Sequence, residues 1–561
     1  MSDVIGHVTE VTGSEMTVAL HHAGESAQAK EVSIGDLLKA PTATGATIGV
    51  VSALRADADG QRHTVIVDLL GEFVTDDDGR RRFGRGVSVH PLLGNPVAVA
   101  TSEDSDLIYC QPDKFHARIG TIYQDDSRPA FLITDDLLAK HFAIVGTTGS
   151  GKSCAVTLLL RVILRAHPYA HIVLLDPHDE YTAAFGDLAE VFNVDNLQLP
   201  CWLLNFEELV AVLVRGGTPE EQQAQAAILK DAVTQGRRKF AGDSAENAWI
   251  TVDSPVPFRV GDIIQIIDVA MGKLSKADST APYLRLKSRL ESLYSDRRFG
   301  FMFAGAARDN LTNVVSRLLR IPVSGKPLTI IDLSGLPSEI VDVVVSLLFR
   351  MTFDFALWAE KSKLPPLLLI CEEAHRYVPS DSSLGFSATT RAIARISKEG
   401  RKYGISLGLV TQRPSELSPT VLTQCGTLFA LRMSNELDRA FVSNSLPDSS
   451  QGMLASLPSL RRQEALVVGE GVTIPMRIRF DNLAPNEQPR SGSAQFSRAW
   501  QAESTSADMI QESIRRWRRQ VRDRSGNEPA DAPIPLQPSL GRSTVEPILG
   551  RAAMLGLKRT S

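Results

Sequence analysis

Eight consecutive residues, Gly146-Thr147-Thr148-Gly149-Ser150-Gly151-Lys152-Ser153, match the pattern G-x-x-x-x-G-K-[ST]. In such a loop the glycines let the backbone wrap a phosphate chain with its N–H groups pointing inward, at the positive end of the helix that follows. Lys152 is placed to reach the β- and γ-phosphates of a nucleotide, and Ser153 to bind Mg²⁺. Cys154 is next and completes a candidate nucleotide-binding run. The alternative is a glycine-rich turn without chemistry. The flanks argue against it, because a strand-like run, His141–Val145, leads in and a helix-forming run, Cys154–Arg165, leads out.

A phosphate loop also needs acids at the end of a neighbouring strand. The aliphatic run Leu367–Cys371 ends in Glu372-Glu373-Ala374-His375. Glu372 would act on the metal, directly or through its water, and Glu373 would be the base that orients the attacking water. Asp176-Pro177-His178-Asp179-Glu180-Tyr181 ends another apolar run, which in a parallel sheet lies on the ligand side. Asp176 is expected to support Mg²⁺ or the γ-phosphate there, while Pro177 and His178 could shape the turn or touch substrate. Gln412, in Thr411-Gln412-Arg413-Pro414, follows a third strand and could sense the γ-phosphate or position water.

These groups require a particular frame. Phe142–Val145, Ile172–Leu175, Leu328–Ile331, Leu367–Ile370, Ser406–Val410 and Thr427–Leu431 are short apolar runs of the kind buried in a parallel sheet. Residues 205–320 between them read as a mostly helical insertion, and Glu464–Phe480 returns to strand character. The expected fold class is therefore α/β, a largely parallel sheet with a helical insertion. Ahead of it, residues 1–125 read as short strands broken by turns, a small β-barrel or sandwich whose open edges could meet another protein. Arg80-Arg81-Arg82 beside Asp76-Asp77-Asp78-Gly79 reads as a solvated hairpin tip. The core is expected over 126–490. The tail, 491–561, is polar and proline-rich, with a basic helix at Met509–Arg524 and a short apolar end near Ile548–Leu557.

Arg391, Arg395, Lys398 and Lys402 recur at helical spacing within Thr389–Tyr403. On a lone helix they would be a solvated face. Between two ligand-side strand ends they read as a DNA-facing stripe. Arg401 lies just beyond Gly400, which could end the helix and turn that side chain outward. Arg401 is the candidate arginine finger for a neighbouring subunit's nucleotide, with Arg432 as the second choice.

Composition limits the alternatives. Of 561 residues, 43% are hydrophobic and 22% charged, as in an ordinary globular protein rather than a disordered one. Sixty basic against 65 acidic residues exclude a generally polybasic nucleic-acid binder, and 6% aromatics are too few for a wall of base-stacking platforms. Five dispersed cysteines suggest neither a disulfide framework nor a zinc site. No secretory signal or membrane span is evident, so a soluble, cytoplasmic protein is expected.

Taken together, GTTGSGKS (146–153), DPHDEY (176–181), LPCWLLNFEE (199–208), TIIDLSGLPSEI (329–340), LLLICEEAHRYVP (367–379), ISKEGRKYGISLGLVTQRPSEL (396–417) and EALVVGEGVTIP (464–475) resemble, in order, the HerA family of ring-forming DNA-translocating ATPases, relatives of FtsK and of conjugative secretion ATPases. Arg401 falls in the family's E-G-R-K stretch, and Asp179 stands where the family usually has glycine. The resemblance implies a RecA-like core under a capping β-barrel and a homo-hexamer binding ATP and Mg²⁺ at subunit interfaces. It also implies double-stranded DNA passing through the pore without sequence preference. The implied partner is a nuclease such as NurA, or an NAD-consuming or nuclease effector in antiphage defence. A regulatory scaffold that gates such an effector without moving DNA is the competing reading.

Overall fold

The computed structural model describes residues 4–21, 32–56, 63–75, 79–242, 244–275, 279–303, 308–381, 383–445, 451–490, 497, 500–501 and 507–519. Residues 1–495 form one compact unit.

Seven antiparallel strands come first: β1 (Val4–Val11), β2 (Glu15–Leu20), β3 (Leu37–Thr42), β4 (Gly45–Ala56), β5 (His63–Thr75), β6 (Arg81–Arg85) and β7 (Pro96–Val99). Six of them close into a ring in the order β2-β1-β7-β3-β4-β5, sealed by pairing of β2 with β5, and β6 hangs on β5. Alternating Val, Ile, Leu and Met side chains, among them Val8, Val18, Leu38, Val65 and Val97, fill the barrel. Closure removes the free edges that the strand pattern suggested for partner binding. The far halves of β4 and β5 leave the barrel interior, and Ile48, Val50, Leu70 and Phe73 pack into the core of the next domain instead.

That domain is built on an eleven-stranded sheet, completed by β8 (His116–Ile122), β9 (Asp125–Ile133), β10 (Phe142–Val145), β11 (His171–Asp176), β12 (Ala189–Phe192), β13 (Leu328–Asp332), β14 (Leu367–Cys371), β15 (Ile405–Thr411), β16 (Thr427–Ala430), β17 (Glu464–Gly469) and β18 (Met476–Phe480). Its order is β12-β13-β11-β14-β15-β10-β16-β17-β18-β8-β9. The stretch from β12 to β16 is parallel and the rest antiparallel. β8 and β9 hydrogen-bond into this sheet through β18, so the barrel ends at Val99 and not near residue 125. The expected insertion is present between β12 and β13 as Phe206–Leu213, Pro219–Ala241, Val260–Gly272, Ala281–Ser295 and shorter helices. It packs with the buried helix Ser338–Trp358 on one face of the sheet.

Arg81 is not at a solvated tip. Its guanidinium stacks over Phe73 and pairs at 2.7 Å with Asp104, whose side chain is fully buried. Burial alone would raise the Asp104 carboxyl, but Lys39, Thr101 and Arg81 around it hold it at about 2. In the second unit, Phe496–Ser561, the described helix is Ala507–Arg519, and the apolar end near Ile548–Leu557 lies outside the described residues. Among the described residues no helix is long and apolar enough to cross a membrane.

Candidate active site

β10 lies between β15 and β16 and delivers its chain into the loop Gly146–Gly151 at the carboxyl end of the parallel strands. Gly146 is required by packing: a Cβ there would sit 2.8 Å from both Leu431 Cβ and Ser150 Oγ. Gly151 caps the helix Lys152–Ala166 with φ 104°, a conformation that side chains disfavour. Both the N–H and the hydroxyl of Thr147 donate to the carbonyl of Arg432 at 3.0 Å, so the loop is fastened to the end of β16. The Lys152 ammonium donates to the Thr147 carbonyl at 3.2 Å, across the mouth of the loop. Burial depresses its pKa, and the carboxylates of Glu372, Glu373 and Glu180 pull it back up.

Glu372 and Glu373 follow β14 and are both buried. Glu372 accepts a hydrogen bond from the Tyr181 hydroxyl at 2.8 Å. Burial pushes its carboxyl up to about 8 against the lowering effects of Tyr181 and Lys152. Glu373 takes a left-handed backbone, φ 52°. Such strain at a non-glycine position persists only where the surroundings hold it. Gln412, just past β15, accepts a hydrogen bond from the Thr148 hydroxyl, so the third strand end touches the tip of the loop.

Asp176 is engaged by its own turn. Its Oδ1 accepts from the N–H groups of His178 and Glu180, and its Oδ2 from that of Tyr181. Both oxygens are spent folding the turn, and burial raises the carboxyl to about 6. The carboxylate bonded to the serine of the loop is that of Glu180: the Ser153 hydroxyl donates to its Oε2 at 2.6 Å. The turn has room for this because Asp179, at φ 55°, adopts the left-handed conformation that glycine would take and binds the Thr182 hydroxyl at 2.8 Å. Aspartate tolerates that region better than most residues. The acidic content of DPHDEY was visible in the sequence, but nothing in it told which carboxylate points outward.

Arg401 lies elsewhere. The helix Ser387–Glu399 continues through a right-handed Gly400 (φ −53°) into a tight turn, and Gly404, not Gly400, supplies the left-handed stop. Gly400 is needed for contact, since a Cβ would meet the Ile405 carbonyl at 3.0 Å. Arg401 is exposed before the start of β15, where with Asp135, His167, Tyr169 and Pro366 it lines a cleft of about 760 Å³. Within the basic stripe, Arg391 pairs with Glu207, and Arg395 sits 4.1 Å over the Phe353 ring. At the opposite end of β10 from the loop, His141 is buried with φ 58°. Its Nδ1 accepts from the Leu407 N–H at 3.0 Å, so Nε2 carries the proton and donates to the Ser397 carbonyl at 3.1 Å.

Residues 117–352 match the family described as the central domain of helicase HerA. The chain is 24% identical over 521 residues to the probable DNA double-strand break repair helicase HerA of Methanocaldococcus jannaschii, covering 85% of this chain and 96% of that one. The chain is similar to this HerA along most of its length. The HerA of Pyrococcus furiosus is 25% identical over 428 residues, 70% of this chain and 75% of its own. Among solved structures, VirB4 of Thermoanaerobacter pseudethanolicus superimposes with a TM-score of 0.47 at 17% identity, covering 67% of this chain and 99% of that one. The matched segment 117–352 contains the phosphate loop and Glu180 but ends before Glu372, Glu373 and Gln412.

The pocket fits a nucleotide with Mg²⁺. Glu373 Oε2 and Ser150 Oγ are buried beside the loop without a hydrogen-bond partner. Among the described residues no cluster of three His, Cys, Asp or Glu could hold a metal unaided. Glu373→Gln should leave nucleotide binding within about twofold while hydrolysis falls by roughly 10²–10⁴, the usual worth of a general base. Turnover and binding of a fluorescent nucleotide measured on one preparation check this. Normal turnover would pass the role to Glu372 or Glu180.

Proposed function

We propose that this chain is a Mg²⁺-dependent ATPase that works as one subunit of a homo-hexameric ring translocating on double-stranded DNA. The observation carrying the reading is the convergence of three strand ends on the phosphate loop: Lys152 and Ser153 in the loop, Glu372 and Glu373 facing them, and Gln412 bonded to Thr148. Lys152, with the inward N–H groups of Gly146–Cys154, would hold the phosphates. Ser153 and Glu372, with Glu180 on the Ser153 hydroxyl, would hold Mg²⁺. Bound Mg²⁺ would neutralise charge on the β- and γ-oxygens. Glu373 would accept the proton of the attacking water, Gln412 would fix its position, and Arg401 would come from the neighbouring subunit. Relatives named as double-strand break repair helicases support DNA as the track.

The finer reading adds a partner, a nuclease or an NAD-consuming effector, working with the ring in DNA end processing or antiphage defence in the cytoplasm. The closed barrel would meet it through surface side chains such as the exposed Leu92 and Leu93. One observation favours the competing scaffold reading. Arg391 and Arg395 are engaged within the chain, which leaves less of the stripe for DNA. A pore that neutralises phosphates reads no bases, so duplex DNA of any sequence should stimulate the ATPase, and stimulation should weaken as salt rises. Steady-state hydrolysis with two unrelated duplexes across a salt series tests this. No stimulation at low salt would favour the scaffold.

A further inference from the structure

Glu373 is approached by imidazoles from both sides. His178 Nε2 is 4.0 Å from Oε1, on a half-exposed side chain. His375 is closer and better enclosed. Its Nδ1 lies 3.3 Å from Glu373 Oε2, and its side chain is 11% exposed. The same nitrogen is 3.0 Å from the hydroxyl of Thr411, the last residue of β15. Thr411 Oγ1 already accepts the N–H of Arg413 at 3.1 Å, so the backbone on either side of Gln412 is pinned to that hydroxyl. Glu373 Oε2, meanwhile, is buried and lacks a hydrogen-bond partner. A buried carboxylate oxygen without a donor is costly, and the nearest donor needs only a small reorientation to satisfy it. A bare lone pair on Nδ1 would face the carboxylate unfavourably. A proton on Nδ1 can be shared between Thr411 and Glu373.

We infer that His375 is the positioning residue of the base: its Nδ1–H, anchored on Thr411, aims Glu373 and ties that aim to the strand end that carries Gln412. This rests on the reading of Glu373 as the base. The loop tip is bonded to Gln412, Gln412 follows Thr411 in the chain, and Thr411 reaches Glu373 through His375, so the group that touches Thr148 and the group that takes the proton are set together.

The test compares His375→Ala, His375→Asn and Thr411→Val in the full-length protein, after the wild type has been shown to hydrolyse ATP. That first result judges the ATPase reading separately from this inference. His375→Ala should lower kcat by about 10–100-fold, as loss of an outer partner of a reacting group typically does. Its KM for ATP, its Kd for a non-hydrolysable ATP analogue and its Tm should stay near wild type. His375→Asn, whose amide nitrogen can take the place of Nδ1, should recover most of kcat. Thr411→Val should cost less than His375→Ala and add little to it in the double variant. Wild-type kcat in His375→Ala would overturn the inference. So would equal loss in the alanine and asparagine variants, or a loss that appears in analogue affinity or Tm instead of kcat.

Discussion

Lys152→Ala is expected to bring ATP hydrolysis to background, a loss of at least about 10²–10³-fold, and to weaken nucleotide binding as well. Glu372, Glu373 and Glu180 all pull the pKa of the ammonium up against burial, and it already spans the loop mouth through the Thr147 carbonyl. Its removal takes away the point charge for the β- and γ-phosphates. It also leaves three acids facing an incoming polyanion with nothing to offset them. The effect therefore differs in kind from that of Glu373→Gln, which should spare binding. Hydrolysis and equilibrium nucleotide binding, with thermal unfolding of the nucleotide-free protein as the control for folding, separate the two. Retained turnover in Lys152→Ala would remove the phosphate loop from the chemistry.

Arg401→Ala is expected to cost roughly 10³–10⁵ in rate, the range for a cation placed on a transferring phosphoryl group. Arg401 precedes β15, and Gln412 follows it. Seven extended residues span about 23 Å, so Arg401 cannot serve the loop that Gln412 of its own chain touches. An arginine acting in trans makes a prediction that an arginine acting in cis does not. Rings of Arg401→Ala and rings of Lys152→Ala should each be inactive. Mixed rings should regain activity wherever an intact Arg401 meets an intact Lys152. No recovery, in rings shown to have exchanged subunits, would leave Arg401 with a purely interfacial role.

What was legible in the sequence followed from how directly a residue pattern maps to backbone geometry. The phosphate loop, the parallel strands and the helical insertion could be read because glycine spacing, aliphatic runs and helical periodicity each allow few conformations. The domain boundary was misplaced because β8 is a short Ile- and Thr-containing run like those of the barrel. Only its pairing with β18, some 350 residues away, assigns it to the core. The sequence reading named Asp176 and passed over Glu180 for a related reason. A carboxylate at a strand end can face a ligand or fold back onto its own turn, and that choice depends on three backbone N–H groups whose direction composition does not specify. Gly400 was misread because a glycine after a helix suggests a left-handed stop, whereas here close packing on Ile405 requires it.

The shortness of β10 has a consequence of its own. Four residues, all buried, join Gly146 at the phosphate loop to His141, and His141 clasps Ser397 and Leu407 on either side of Arg401. About 13 Å of close-packed strand thus links the place where a subunit receives its own nucleotide to the arginine it would lend its neighbour. A member that short and that tightly enclosed works as a pushrod rather than a spring. If the ring proposed above turns over in sequence, loading one seat and presenting or withdrawing Arg401 at the next would be one motion, timed by the length of a strand.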